Sequence, residues 1–526
     1  MASSSTLSFQ VKDKIDLTEK ETQIFERLLQ VLRHFNLQTQ LRVAGGWVRD
    51  KLLGKDCYDI DIALDDMLGR EFCEKVNEYL SFAGEEKQGI GVIQCNPDQS
   101  KHLETARMRL FDVWIDFVNL RSENYSENSR IPTMEFGTAE QDAYRRDLTI
   151  NSLFYNINTN SVEDFTGRGV TDLKSGKIVT PLPPEDTFLD DPLRVLRAIR
   201  FGARFEFVLD EKLKEAAASD KVKAAIADKI SRERIGHEID LMISGNQPVQ
   251  AMTYICDLQL FWVVFCLPAK FEPAISEGCD RLVCVAFMDA ASNLLQLIGC
   301  TTFNDEQRRL YLYATLFLPL REFIYVDNKA KKIPIVNYIF RNSLKLKASD
   351  AETVINLHIA SERFTSLILS VAYNNHDKIV EVDEGIESLD VSVTLKQRIF
   401  AGLLLREIKG FWRVALLMST LLYPIDFDLT EVSIDKHIEL DKHRDLFSRV
   451  ENTIIELGLE NVWEKKPLVN GKEIMSILQL KTGGSQVGEW LQKLIKWQLA
   501  SPSGTAEEFL DWMRETETHS KRAKLE

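Results

Sequence analysis

Residues 41–61 read L-R-V-A-G-G-W-V-R-D-K-L-L-G-K-D-C-Y-D-I-D, and this stretch organises the rest of the chain. Gly45 and Gly46 follow a short apolar run and precede a helix-like W-V-R-D-K-L-L, so backbone there approaches a phosphate without a Cβ in the way. A second apolar run, Tyr58 to Leu64, carries Asp59 and Asp61. In a strand, residues two apart share a face with Cα atoms roughly 7 Å apart, which lets both carboxylates share one divalent cation or two adjacent ones. The spacing therefore predicts a phosphate seat beside a metal seat.

Working downstream, E-T-A-R-M-R-L and V-W-I-D-F-V-N-L read as a hairpin with Asp112 near its turn and Asp116 in its second strand. Asp116 is the candidate third carboxylate, with a solvent-facing edge aspartate as the alternative. Next comes Q-D-A-Y-R-R-D-L-T-I-N, in which Arg145 and Arg146 offer forked donors to triphosphate oxygens. Asp147 and Asn151 are i, i+4 and are placed on one helical face.

Past P-L-P-P at 181–184, helix character is expected from Phe188 through F-L-D-D-P-L-R-V-L-R-A-I-R-F-G-A-R-F. Arg194, Arg197, Arg200 and Arg204 fall within an arc of about 120° on that helix, and few acids at i±4 neutralise them. Asp191 and Arg194, read as i, i+3 neighbours, present an acceptor and a forked donor to the Watson–Crick edge of cytosine or adenine. A rigid pair of side chains would thus replace a template strand.

These motifs, in this order, carry a resemblance. Gly-Gly followed by D-x-D resembles the nucleotidyltransferases of the DNA polymerase beta superfamily, and R-R-D-x-x-x-N resembles the tRNA nucleotidyltransferases and bacterial-type poly(A) polymerases. V-E-D-F-T-G-R-G-V-T-D-L, with Asp164, Gly169, Asp172 and Leu173, resembles the same family's connecting element. D-D-P-L-R resembles the E-D-x-x-R motif of class II CCA-adding enzymes, with Asp190 where glutamate is commoner, and S-R-E-R-I-G-H-E resembles their S-x-E-R-I-x-x-E helix. Over residues 41 to about 245 the chain is thus similar to the class II tRNA nucleotidyltransferases.

That resemblance implies an α+β fold: a small mixed β-sheet head with helices over 1–182, then an all-helical neck (183–260), body (261–400) and tail (401–526). It implies addition of C, C and A to the 3′ end of tRNA from CTP and ATP. Two Mg²⁺ ions would sit on Asp59, Asp61 and Asp116. Gly45, Gly46, Arg49, Arg145, Arg146, Asp147 and Asn151 would hold triphosphate and sugar. Asp191, Arg194 and Arg197 would read the base, supported by Asp190, Glu233 and Arg234, with Glu238 beside them. In the tail, Lys481, Gly483 and Gly484 form a basic glycine turn at a helix start, suited to tRNA phosphates. A poly(A) polymerase and a non-catalytic tRNA-binding or export adaptor are the rival readings.

Composition bounds the rest. At 526 residues the chain calls for roughly three or four domains. A net charge of −15 opposes indiscriminate polyanion binding, so any RNA surface must be locally basic. Eight cysteines without a C-x-x-C pair suit a reducing compartment and indicate neither a zinc ribbon nor a disulfide framework. No stretch approaches the ~20 apolar residues of a membrane span, so no membrane association is expected. The Ser-rich start lacks an apolar segment and arginines, and cytoplasm and nucleus are expected, with a mitochondrial form as a further location. A monomer is expected, a dimer being the alternative. His376-Asp377 with His358 falls short of a metal phosphohydrolase set.

Overall fold

The computed structural model describes residues 10–93, 105–126, 129–268, 281–299, 302–373, 392–422 and 435–523. They fall into two compact units, residues 1–267 with 342–345, and residues 268–341 with 346–526.

The first unit begins with α1 (Glu19–His34), started by a capping box: Thr18 Oγ1 accepts from the Glu21 N–H at 3.3 Å and the Glu21 carboxylate accepts from the Thr18 N–H at 2.7 Å. Its stripe of Ile24, Phe25, Leu28, Val31 and Leu32 is buried, each side chain contributing about 1.5–3 kcal/mol. The chain continues through β1 (Leu41–Ala44), α2 (Gly46–Leu52), β2 (Ile60–Leu64), α3 (Gly69–Phe82), β3 (Ile90–Ile93), β4 (Thr105–Leu110) and β5 (Val113–Asn119). The hairpin β6 (Arg121–Ser126) and β7 (Ser129–Phe136) forms its own sheet. After α4 (Ala139–Tyr144), β8 (Phe154–Asn156) and β9 (Ser161–Glu163) complete a seven-stranded sheet of order β3-β4-β5-β2-β1-β8-β9.

In that sheet β2 and β5 run parallel, while the other recorded pairs are antiparallel. The parallel pairing brings Asp61 opposite Asp116. The β4–β5 turn uses Phe111 and Asp112 at φ 48° and 67°, the two-residue geometry that matches strand twist. The polar, glycine-containing stretch after α3 contains the edge strand β3, and 94–104 lie outside the described residues. One local expectation needs correction. The strand carrying the paired aspartates starts at Ile60, leaving Asp59 just before it on exposed backbone.

Beyond α5 (Gly169–Ser175) and β10 (Lys177–Ile178), the expected single helix over 188–205 is two helices, α6 (Pro184–Asp190) and α7 (Leu193–Phe205). Asp191 between them is extended at φ −132°, ψ 97°. Pro192 explains the break: its ring drives the preceding residue out of the helical region. β11 (Val208–Leu209) pairs in parallel with β10, a small ribbon that the all-helical expectation for this region lacked. The helices α8 (Glu211–Ala217), α9 (Asp220–Lys229), α10 (Arg232–Ile243) and α11 (Pro248–Asp257) follow. A Cβ at Gly236 would lie 1.7 Å from the Leu344 carbonyl oxygen, so α10 packs there only as glycine.

Among its described residues the second unit is helical apart from a two-stranded ribbon, Ile324–Val326 with Lys332–Pro334, again against the all-helical expectation. The apolar segment F-W-V-V-F-C-L at 261–267 belongs to the first unit, where Phe261–Val264 form a single helical turn. Among the described residues one helix, Arg281–Ile298, is long and apolar enough to cross a membrane by length and composition, although the sequence showed no such stretch. It packs on the helices Asp305–Leu316 and Asp435–Glu456. Toward the C-terminus Trp490, Trp497, Phe509 and Met513 form a core joining the last helices. His376 and Asp377 lie outside the described residues.

Candidate active site

A cleft of about 620 Å³ opens in the first unit between the β1–α2 turn, the inner strands, the segment after α4 and the start of α7. Eight arginines and five acids line it, a local surplus of three positive charges in an acidic protein. Gly45, Gly46, Arg49, Asp61, Arg145, Arg146, Asp147, Asn151, Asp191, Arg194, Arg197 and Arg234 all line this one cleft.

Asp61 sits on its wall, half-buried on β2. Burial, then the neighbouring Asp59 and Asp116 carboxylates, push its pKa up to about 6. Three carboxylates on adjacent backbone are oxygen donors of the kind a hard divalent cation takes. The trio is not a preformed cage; among the described residues no closed cluster of three ligating side chains occurs. Instead Arg107 of β4 clasps Asp116 through Nε at 2.6 Å and Nη2 at 2.9 Å.

At the glycines the geometry differs from the expectation. Gly45 stands at φ 69°, a conformation open to glycine, and a Cβ there would lie 2.7 Å from Arg146 Nη1. The space therefore admits the Arg146 guanidinium. Arg146 is itself fixed by Asp142, whose Oδ2 accepts from its Nε at 3.0 Å and Nη2 at 2.8 Å. The other oxygen of Asp142 accepts from Arg145 Nε at 2.8 Å and Nη2 at 2.6 Å. One buried carboxylate thus aims both arginines. Burial raises the pKa of Asp142, but the Arg146 and Arg145 guanidiniums outweigh it and hold the group below the usual carboxylate range.

Asp147 and Asn151 do meet, with Nδ2 donating to Asp147 Oδ1 at 3.1 Å, but not along an α-helix. α4 ends at Tyr144, Leu148 is extended, and Thr149–Asn151 form a 3₁₀ turn. Asp147 Oδ1 accepts from the Leu148 N–H at 2.9 Å, a local bond that competes with helix continuation. Asn151 Oδ1 also accepts from Arg49 Nη1. Asp147 Oδ2 accepts from Arg197 Nε at 2.7 Å. Burial works against its charge, yet Arg197, with Asn151 and Arg194, carries the pKa down to about 2.

The arginine stripe of α7 is neutralised after all, by acids distant in sequence. Glu238 of α10, buried, accepts from Arg200 Nε at 2.6 Å and lies 4.0 Å from Arg197 Nη1. Arg194 Nη2 donates to the Arg145 carbonyl at 2.7 Å and lies 3.6 Å from Glu123 Oε2, while Glu123 Oε1 accepts from Arg145 Nη1 at 2.9 Å. Arg204 Nη2 is 3.9 Å from Asp50. The Arg49 guanidinium lies 5.0 and 4.7 Å from the centroids of Phe201 and Phe205, whose parallel rings are 6.1 Å apart.

Asp191 is not a helix neighbour of Arg194. It occupies the α6–α7 hinge, caps α7 through the Leu193 N–H at 3.3 Å, and its Oδ2 accepts from Arg234 Nη2 at 3.0 Å. Burial raises the pKa of Asp190 beside it, with Arg194 acting in the opposite sense. Glu233 is exposed and makes no ion pair among the described residues, so the orienting acid of α10 is Glu238. Sequence reasoning missed Glu123, Asp50 and Asp142. Asp142 was findable at i+3 and i+4 from the two arginines; Glu123 and Asp50 carried no local signal.

Lys481, Gly483 and Gly484 belong to the second unit. Gly484 begins the helix Ser485–Ala500 without a side-chain cap, and Gly483 lines a cavity of about 550 Å³ with Asn470, Lys472 and Val487.

The family model described as the Poly A polymerase head domain matches residues 41–179. A mitochondrial CCA tRNA nucleotidyltransferase of Candida glabrata is 34% identical over 96% of this chain and 97% of its own. Its counterpart from Saccharomyces cerevisiae is 35% identical over 90% of this chain and 87% of its own. A solved apo CCA-adding enzyme shares the fold at TM-score 0.60 and 20% identity, covering 95% of this chain and 96% of that one.

Proposed function

The chain belongs to the CCA tRNA nucleotidyltransferase family, and from that membership we propose how its cleft adds C, C and A to the 3′ end of tRNA from CTP and ATP. One observation supports the reading most: Asp61, the arginines aimed by Asp142, and the Asp191–Arg194 pair all line one cleft. In each cycle the primer 3′-oxygen bonds to the α-phosphorus of the nucleotide and the bond to the β-phosphate bridge breaks, releasing pyrophosphate. Arg145 and Arg146 hold the triphosphate, and Arg49 with Asp147 and Asn151 sets the sugar. Arg194, Arg197 and Asp191 meet the base edge; cytosine and adenine share an exocyclic amino donor beside a ring acceptor, which guanine and uracil do not match.

Asp59, Asp61 and Asp116 would hold divalent metal, two Mg²⁺ ions in this reading. When bound, the metal supplies acidity to the attacking hydroxyl and screens the triphosphate charge. Arg107 keeps Asp116 paired in the free cleft. Head, neck, body and tail boundaries at residues 182, 260 and 400, a monomeric state, and contact of Lys481, Gly483 and Gly484 with tRNA complete the proposal. Its relatives' mitochondrial names support a mitochondrial form, which we add to cytoplasm and nucleus.

The test is a product-length assay on tRNA stripped of its CCA end. CTP alone is expected to give two added nucleotides and both nucleotides three. A ladder of adenosines from ATP alone, with no cytidine added, would mean a poly(A) polymerase.

A further inference from the structure

A second cavity of about 500 Å³ lies in the first unit, between Lys55, Arg200, Arg204 and the turn Gly245–Gln247 after α10. Arg204 is the residue it shares with the main cleft. None of its lining residues is acidic. The acids that reach its cations come from behind: Glu238 on Arg200, and Asp50, which holds Arg49 at 2.8 Å and stands 3.9 Å from Arg204.

The cations are built in rather than scattered. Arg200 lies 4.3 Å and Arg197 5.5 Å from the Phe201 centroid, Lys55 4.8 Å and Arg204 5.1 Å from that of Phe205, with Arg49 near both rings. Arg49, Lys55, Arg197, Arg200 and Arg204 thus crowd two rings, with Asp50, Glu238 and Asp147 to balance them. Lys55 is placed by the end of α2: Gly54 at φ 69° lets the Lys55 N–H reach the Asp50 carbonyl at 2.8 Å and its own N–H reach that of Lys51 at 3.0 Å. The opposite wall holds Asn246 and Gln247 and the exposed Leu241.

We infer that this cavity is a second phosphate seat, distinct from the triphosphate site, which takes a backbone phosphate of the RNA primer. The inference rests on the reading that the substrate is tRNA. Cations beside amide side chains and an exposed leucine suit a phosphodiester with its ribose: the amides meet the 2′-hydroxyl and the leucine the sugar face. Released pyrophosphate is the other source of the same chemistry, and it lacks a sugar for Leu241 to cover.

The experiment uses the full chain and three probes, tRNA lacking its CCA end, CTP and inorganic pyrophosphate, each measured by equilibrium binding so that no turnover is needed. Lys55→Met removes the charge and keeps a stem over Phe205; Asn246→Asp adds a negative charge on the opposite wall. Each is expected to weaken tRNA binding roughly three- to fivefold and, for Lys55→Met, to lower the salt slope by about one, with CTP binding unchanged. Weakened pyrophosphate binding with unchanged tRNA binding would keep the phosphate seat but assign it to the leaving group. Unchanged binding of both, or equal losses for tRNA and CTP, would overturn it. Absence of CCA addition by the unmodified chain would instead sink the functional reading, and the binding results would still stand.

Discussion

Asp191 Oδ2 accepts a hydrogen bond from Arg234 Nη2 at 3.0 Å, and this bond joins the α6–α7 hinge to α10. No helix holds Asp191, since Pro192 breaks the chain there, so its carboxylate direction depends on its cap to Leu193 and on Arg234. Removing the guanidinium frees the acceptor that we propose discriminates bases. Arg234→Ala is therefore expected to reduce the preference for CTP and ATP over UTP and GTP by roughly tenfold, about 1.4 kcal/mol, with KM for tRNA unchanged. Competition between nucleotides in single-turnover assays measures it; retained selectivity would show that Asp191 needs no such partner.

Asp61 and Asp116 stand opposite one another on parallel strands. Asp61→Asn and Asp116→Asn each leave the other carboxylate with half a cation site. Transfer is expected to fall roughly a thousandfold, about 4 kcal/mol, while tRNA binding persists. Paired measurements of single-turnover rate and tRNA affinity decide it, and loss of affinity in parallel would make these acids structural.

Asp142 binds two arginines with its two oxygens while buried. Asp142→Ala takes from Arg146 its carboxylate partner and leaves Arg145 with Glu123 alone, beside a hydrophobic cluster that includes Ala143 and Phe154. The cost is expected to be about 3–5 kcal/mol, and KM for both nucleotides should rise with it. Urea unfolding followed in the first unit checks the energy; a loss below about 1 kcal/mol would mean water replaces the carboxylate readily.

His358 in the second unit is buried, with Nε2 2.8 Å from the Ala314 carbonyl, and burial lowers its pKa from 6.5 to about 4. A lowered folded value means that stability is fully present above pH 6.5 and is lost as pH falls from there through 4, because the unfolded chain binds the proton first. The span corresponds to about 3 kcal/mol. Burial lowers the pKa of His443 as well, and it contributes with the same sign. Unfolding midpoints at pH 7 and pH 5 should differ clearly in the unmodified chain and much less in His358→Leu; an equal slope in both would refute the assignment.

What the sequence determined by itself was local and ordered. The hairpin turn at Asp112 and the order of the glycine, D-x-D and R-R-D segments are statements about residues a few positions apart, and both hold in the fold. The single helix expected through Pro192 missed the break there, although a residue before proline is driven from the helical region. What only the tertiary structure decided is which charge answers which. Arg197 finds Asp147 fifty residues away, Arg200 finds Glu238 thirty-eight away, and Arg145 finds Glu123 across a hairpin. Such pairs have no period or spacing, because they are set by how strands and helices cross. Burial then makes each of them strong enough to aim an arginine.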